Sequence, residues 1–180
     1  MRVQFSFFVF NALIFLFRDE RLISAFYTVC ALHEAGHLFA LALCGGKVKT
    51  VELSGFGIHI TAQKGGRVPT QGSLFVLLAG PAANIAVYFF MLITGCRGDF
   101  RMLNLAAAVY NMLPYNSLDG GAVIKLFIAG TVYERTADAV VFCIKLAVTA
   151  FAGAAAVLCG KDFLPVFIAS AALLIGDISR

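Results

Sequence analysis

Charge is what this chain has least of. Asp, Glu, Lys and Arg make up 13% of its 180 residues, against roughly 25% in ordinary soluble domains, which is too little to cover a soluble surface. The 14 basic and 10 acidic residues are scattered between apolar runs, so the net charge of +4 describes loop flanks and no basic patch. That pattern excludes nucleic acid as a partner. Tryptophan is absent, and the five cysteines (Cys30, Cys44, Cys96, Cys143, Cys159) contain no C-x-x-C pair. An odd set within or at the ends of apolar runs is no disulfide scaffold, and these thiols read as reduced packing residues. What remains is 61% hydrophobic, with 18 Phe and a mean hydropathy of +0.89. This composition excludes a disordered chain and points to several bilayer spans in an integral membrane protein.

A charged side chain at the bilayer centre costs about 2.5 to 3.5 kcal/mol on insertion scales, so runs without charge read as spans. Six emerge: residues 3–17, 22–44, 73–96, 102–130, 139–159 and 163–176. The expected fold is an all-α polytopic membrane protein, one membrane-embedded domain over residues 1–180. No small-residue cleavage site precedes Arg18-Asp19-Glu20-Arg21, so the first run is expected as a short retained span. Between the second and third runs, Lys47, Lys49, Glu52, Lys64 and Arg67 with five or more glycines forbid another span. There Val51 and Leu53 alternate with polar residues, Ser54-Gly55 signals a turn, and Phe56, Ile58 and Ile60 alternate again. Residues 48–63 therefore read as a β-hairpin at the membrane. Basic residues (Arg2, Lys47, Lys49, Lys64, Arg67, Arg135, Arg180) gather on the side of both termini, against Arg18, Arg21, Arg97, Arg101 and Lys161 on the other. The excess places both termini inside.

Glu34, Asp119 and Lys145 fall deep within spans, with Lys125 nearer the boundary of one. Ionisable groups at that depth mark functional sites by default. Glu34 lies in His33-Glu34-Ala35-Gly36-His37, an H-E-x-x-H pattern. At about 100° per residue the two histidines stand about 40° apart and one turn along a helix, with the carboxylate in the same wedge. Both imidazoles can reach one metal ion. Catalytic zinc takes three protein ligands, and Asp119, in a span disturbed by Pro114, Gly120 and Gly121, is the ready third. Zn²⁺ with ionised Glu34 and Asp119 sums to zero charge, which lowers the cost of a low-dielectric site. The alternative for Asp119 is a pair with Lys145 or Lys125, and Lys145 itself reads as structural. His59, on the hairpin, and Cys30, one turn before His33, are weaker ligand candidates. Gly80-Pro81-Ala82-Ala83-Asn84 serves either close helix packing or a hydrogen bond from Asn84 near the site.

Three ordered motifs, H-E-x-x-H, G-P-x-x-N and Asn111-x-x-Pro114-x-x-x-Leu118-Asp119-Gly120, together resemble the site-2 protease family of intramembrane zinc metalloproteases. The resemblance runs from about residue 22 to 126. The six-span layout and the hairpin region are most similar to the branch containing stage IV sporulation protein FB. It implies one Zn²⁺ per chain on His33, His37 and Asp119, Glu34 as general base, and Asn111 as hydrogen-bond partner of the catalytic water or the tetrahedral oxyanion. It also implies a membrane-reentrant β-hairpin that receives unwound substrate along a strand edge, with Phe56, Gly57, Ile58 and Asn84 as substrate-binding residues. Where relatives often carry a glycine pair, this chain has Gly57 followed by Ile58. It shows neither a nucleotide-sensing CBS region nor an inserted PDZ domain, so regulation by those modules is not expected.

The activity so implied is hydrolysis of a peptide bond in or beside a transmembrane segment of a membrane-protein substrate, in the bacterial cytoplasmic membrane. The competing readings are a transporter that carries a cation on the same three residues, and a catalytically silent scaffold for client helices. Transport sites seldom need a glutamate beside the metal, and they usually show broken helices in paired halves. Nothing in the sequence names a protein that gates access.

Overall fold

A bilayer-embedded segment must satisfy its own backbone hydrogen bonds, which makes the charge-poor runs helical. The computed structural model describes residues 2–3, 20–46, 48–54, 57–62, 70–129, 131–132, 134–159 and 164–179. Within them lie six helices: α1 (Glu20–Leu43), α2 (Thr70–Ile93), α3 (Asp99–Asn111), α4 (Asp119–Ile128), α5 (Glu134–Cys159) and α6 (Leu164–Ile178). Three stretches among the described residues are long and apolar enough to cross a membrane: Glu20–Leu43, Ser73–Ile93 and Glu134–Leu158. Phe39, Phe90, Ile93 and Phe151 project outward from these helices, as side chains solvated by lipid would. Of the first expected span only Val3 is described, and residues 4–17 lie outside the described ones.

Two units divide the chain, Met1–Asn111 and Met112–Arg180. In the first, α1 presents a buried stripe of Val29, His33, His37, Ala40 and Leu41, recurring at three and four residues as one helix face does. That face packs on α2. Gly36 lets the backbones close in, since a Cβ there would lie 2.5 Å from Ala79 O and 2.9 Å from Ala83 Cβ. Helix α3 packs on both α1 and α2. The same unit holds three strands, β1 (Arg2–Val3), β2 (Val48–Ser54) and β3 (Gly57–Ala62), in the order β1-β2-β3. Strands β2 and β3 are antiparallel, with Val51 opposite Ile60 and Ser54 opposite Gly57, and an irregularity between Val48 and Thr50. Strand β1 runs parallel to β2, Arg2 opposite Glu52.

The expected fourth span, 102–130, is not one helix. It ends at Asn111 and resumes at Asp119, with 112–118 non-helical between them. Pro114 withholds an N–H and disfavours helical geometry in the residue before it. Gly120 and Gly121, expected to disturb the helix, instead sit in the first turn of α4. They let the preceding segment fold back, for a Cβ at Gly120 would meet Met112 O and one at Gly121 would meet Tyr115 O. In this second unit α5 packs on α6, with Thr149 and Ala152 buried on the one and Ser170, Leu173 and Leu174 on the other.

Candidate metal centre

The two histidines of α1 are buried, at 5% exposure for His33 and 9% for His37. Their rings meet edge to face, with Nε2 atoms 3.1 Å apart. Each ring is held at its other nitrogen by α2. His37 Nδ1 lies 2.7 Å from Val76 O. A carbonyl only accepts, so Nδ1 carries the proton and donates.

The tautomer of His33 follows from a chain of buried amides. Asn104, on α3, donates its Nδ2 to Phe100 O at 2.8 Å, which leaves its Oδ1 as an acceptor. Asn84 Nδ2 donates to that Oδ1 at 3.1 Å and to Val29 O at 3.3 Å. Its Oδ1 must then accept from His33 Nδ1, 2.9 Å away. Asn84 and Asn104 are both fully buried, so neither amide is free to turn. Asn84, expected among the substrate-binding residues, is thus enclosed by protein and orients His33.

With Nδ1 as the donor in both rings, neutral imidazoles present lone pairs at both Nε2 atoms. Two such atoms cannot hydrogen-bond each other, and at 3.1 Å they repel unless a cation lies between them. Two imidazole nitrogens at ~2.05 Å from one tetrahedral zinc stand about 3.3 Å apart. Held at Nδ1 by a carbonyl and an amide oxygen, the pair has the outer-shell pattern of metal-ligating histidines. The donor set fits zinc.

Gly80 is what makes room for this. A Cβ there would run into His37 Nε2 and lie 2.8 Å from His33 Cε1, so the G-P-x-x-N motif of α2 gives the imidazoles space at Gly80 and an acceptor at Asn84. Replacing Asn84 by Ala should lower zinc affinity about 10- to 100-fold, the usual loss for an outer-shell partner, as read by competition with a chromogenic chelator. Unchanged affinity would mean that another group sets the His33 tautomer.

The remaining expected residues are placed as follows. Glu34 is half-buried on α1 beside His33. Asn111 is the last residue of α3, half-buried, and donates its Nδ2 to Ala107 O at 3.0 Å. Asp119 opens α4, where the unpaired N–H groups of a helix N-terminus favour a carboxylate. Gly57 and Ile58 begin β3, and His59 faces Glu52 across the strand pair. Phe56 lies outside the described residues. Cys30 is a half-buried free thiol. Lys145 pairs with Asp177, a partner missed because the sixth run was ended at residue 176. Asn104 was missed too, although a lone amide inside the apolar run 102–109 was a legible signal.

No protein-family model matches the chain. Over 104 residues, 52% of this chain, it is 33% identical to the protein of Synechocystis sp. named "Putative zinc metalloprotease sll0528". The chain spans 27% of that relative's length. The solved structure "Site-2 Protease from Methanocaldococcus jannaschii" superposes with a TM-score of 0.70 at 17% identity, covering 98% of this chain and 88% of that one. A superposition of that quality over almost the whole chain gives the protein the fold of that site-2 protease.

Proposed function

We propose that this chain is an intramembrane zinc metalloprotease that hydrolyses a peptide bond in or next to a transmembrane segment of a membrane-protein substrate. The observation that carries the reading is the pair of imidazole Nε2 atoms 3.1 Å apart on α1, each ring locked from behind by α2. His33, His37 and Asp119 supply two imidazoles and a carboxylate, a donor set able to hold a metal ion. When bound there, zinc lowers the pKa of water and polarises a carbonyl. Glu34 takes the proton of the attacking water and returns it to the leaving amine. The Asn111 amide donates to the oxyanion as the carbonyl carbon becomes tetrahedral, exchanging its bond to Ala107 O for one that matters in the transition state.

A helical substrate hides its peptide bonds, so the scissile segment must unwind first. Among the described residues β1 occupies one side of β2, and β3 closes the other end of the sheet. That supports strand addition along β3, where Gly57 and Ile58, with Phe56 before them, would hold the segment extended. The reading extends to one protease domain over residues 1–180 with six spans and both termini inside a bacterial cytoplasmic membrane. It also places the chain nearest the branch that contains stage IV sporulation protein FB.

The test uses the protein in lipid vesicles with a fluorogenic transmembrane peptide carrying Gly or Pro near its centre. Chelation should abolish cleavage, and stoichiometric zinc should restore it. Exchanging the peptide's Gly or Pro for Leu should slow cleavage, because each favours unwinding, by about 1 kcal/mol for Gly and about 3 kcal/mol for Pro relative to Ala. Zinc entering the vesicles with no hydrolysis would favour a cation carrier instead.

A further inference from the structure

Lys145, in the middle of α5, is 6% exposed, and its Nζ lies 2.7 Å from Asp177 Oδ2 on α6. Taking two charges out of water costs free energy that their attraction need not return, so a buried pair is weak evidence of a stability role. What the pair does is visible in its other bonds. Asp177 Oδ2 accepts the backbone N–H of Asn116 at 3.0 Å, and Lys145 Nζ donates to Asn116 Oδ1 at 3.1 Å. One residue of the non-helical segment is thus gripped at both backbone and side chain.

Its neighbour is anchored as well. Tyr115 is fully buried, and its hydroxyl donates to Thr149 Oγ1 at 2.8 Å, which in turn donates to Lys145 O at 2.9 Å. From this anchored dipeptide the chain turns directly into α4: Leu118 N–H bonds Tyr115 O at 3.0 Å, and Gly121 packs against the same carbonyl. Asp119 stands between those two contacts.

We propose that the buried Lys145–Asp177 pair is a positioning device that holds segment 112–118 through Asn116 and thereby sets where Asp119 stands as a metal ligand. The inference rests on the metal reading of Asp119 above. Within it, the pair's function is geometric. Asn116 needs an acceptor at its N–H and a donor at its amide oxygen, and the carboxylate on α6 facing the ammonium on α5 supplies both in that order.

Two double variants separate this role from plain helix joining. Lys145→Asp with Asp177→Lys keeps an ion pair between α5 and α6 but turns an ammonium toward the Asn116 N–H, donor against donor. Lys145→Met with Asp177→Leu removes both charges, a kind of exchange that folds well elsewhere, and leaves Asn116 without either partner. Zinc affinity is measured by chelator competition and folding by thermal unfolding in detergent, with Asp119→Ala as the reference for ligand loss. The expected result is an unfolding temperature near wild type in the apolar double, together with zinc affinity about 10- to 100-fold lower in both doubles. Wild-type zinc affinity in the apolar double would overturn the positioning role alone. A wild-type chain that takes up no zinc in the same assay would overturn the metal reading and this inference with it.

Discussion

Replacing Glu34 by Gln is expected to lower cleavage of a membrane client about 10²- to 10⁴-fold, the range a positioned general base contributes, while zinc content stays at the wild-type level. The change swaps one carboxylate oxygen for an amide nitrogen and leaves the side chain's length and volume almost intact. His33 and His37 keep their bonds to Asn84 and Val76, so the imidazoles remain aligned. What disappears is a group that can accept the proton of water. Elemental analysis and a cleavage assay on the same preparation read both halves of the prediction. Because the variant stops after the client has entered, a photo-crosslinker at Ile58 should capture an uncleaved transmembrane segment, with less captured by wild type. Hydrolysis that persists in Glu34→Gln would remove Glu34 from the mechanism as its general base.

Removing a ligand should act differently. In His37→Ala and in Asp119→Ala, zinc should fall from about one per chain to near none, and cleavage should fall with it. A second, activity-independent signature follows from linkage. Metal bound only by the folded chain adds stability of RT ln(1 + [L]/Kd), about 2.7 kcal/mol at a hundredfold excess over Kd. Chelation should therefore lower the unfolding temperature of the wild type and leave that of the two variants unmoved. Equal zinc in wild type and Asp119→Ala would mean that the carboxylate opening α4 is not a ligand, even if the imidazole pair is.

Much of the site was open to reading because it rests on short-range regularities. H-E-x-x-H puts two imidazoles one turn apart in any helix, and their Nε2 atoms do meet. Apolar runs interrupted by charge mark helices, and among the described residues three of those runs became helices long and apolar enough to cross a bilayer. Other features were beyond local pattern. The break after Asn111 was expected only as a disturbance, with Pro114 and the two glycines together as its agents. Pro114 lies inside the break, while Gly120 and Gly121 begin the next helix, because a glycine at a helix start costs little where another stretch of backbone must lie against it.

Local periodicity and hydropathy by themselves determined which of the described segments are helical and which residues on α1 can share a metal ion. Partners far along the chain were decided by tertiary structure alone. His37 takes its acceptor from 39 residues away, His33 from 51, and Lys145 takes its counter-ion from 32. A helix repeats every 3.6 residues whatever surrounds it, so spacing can place a donor on a face. Which tautomer an imidazole holds, and which carboxylate a buried ammonium meets, depend on the atom that another helix brings to that face, and no repeat in the sequence encodes that meeting.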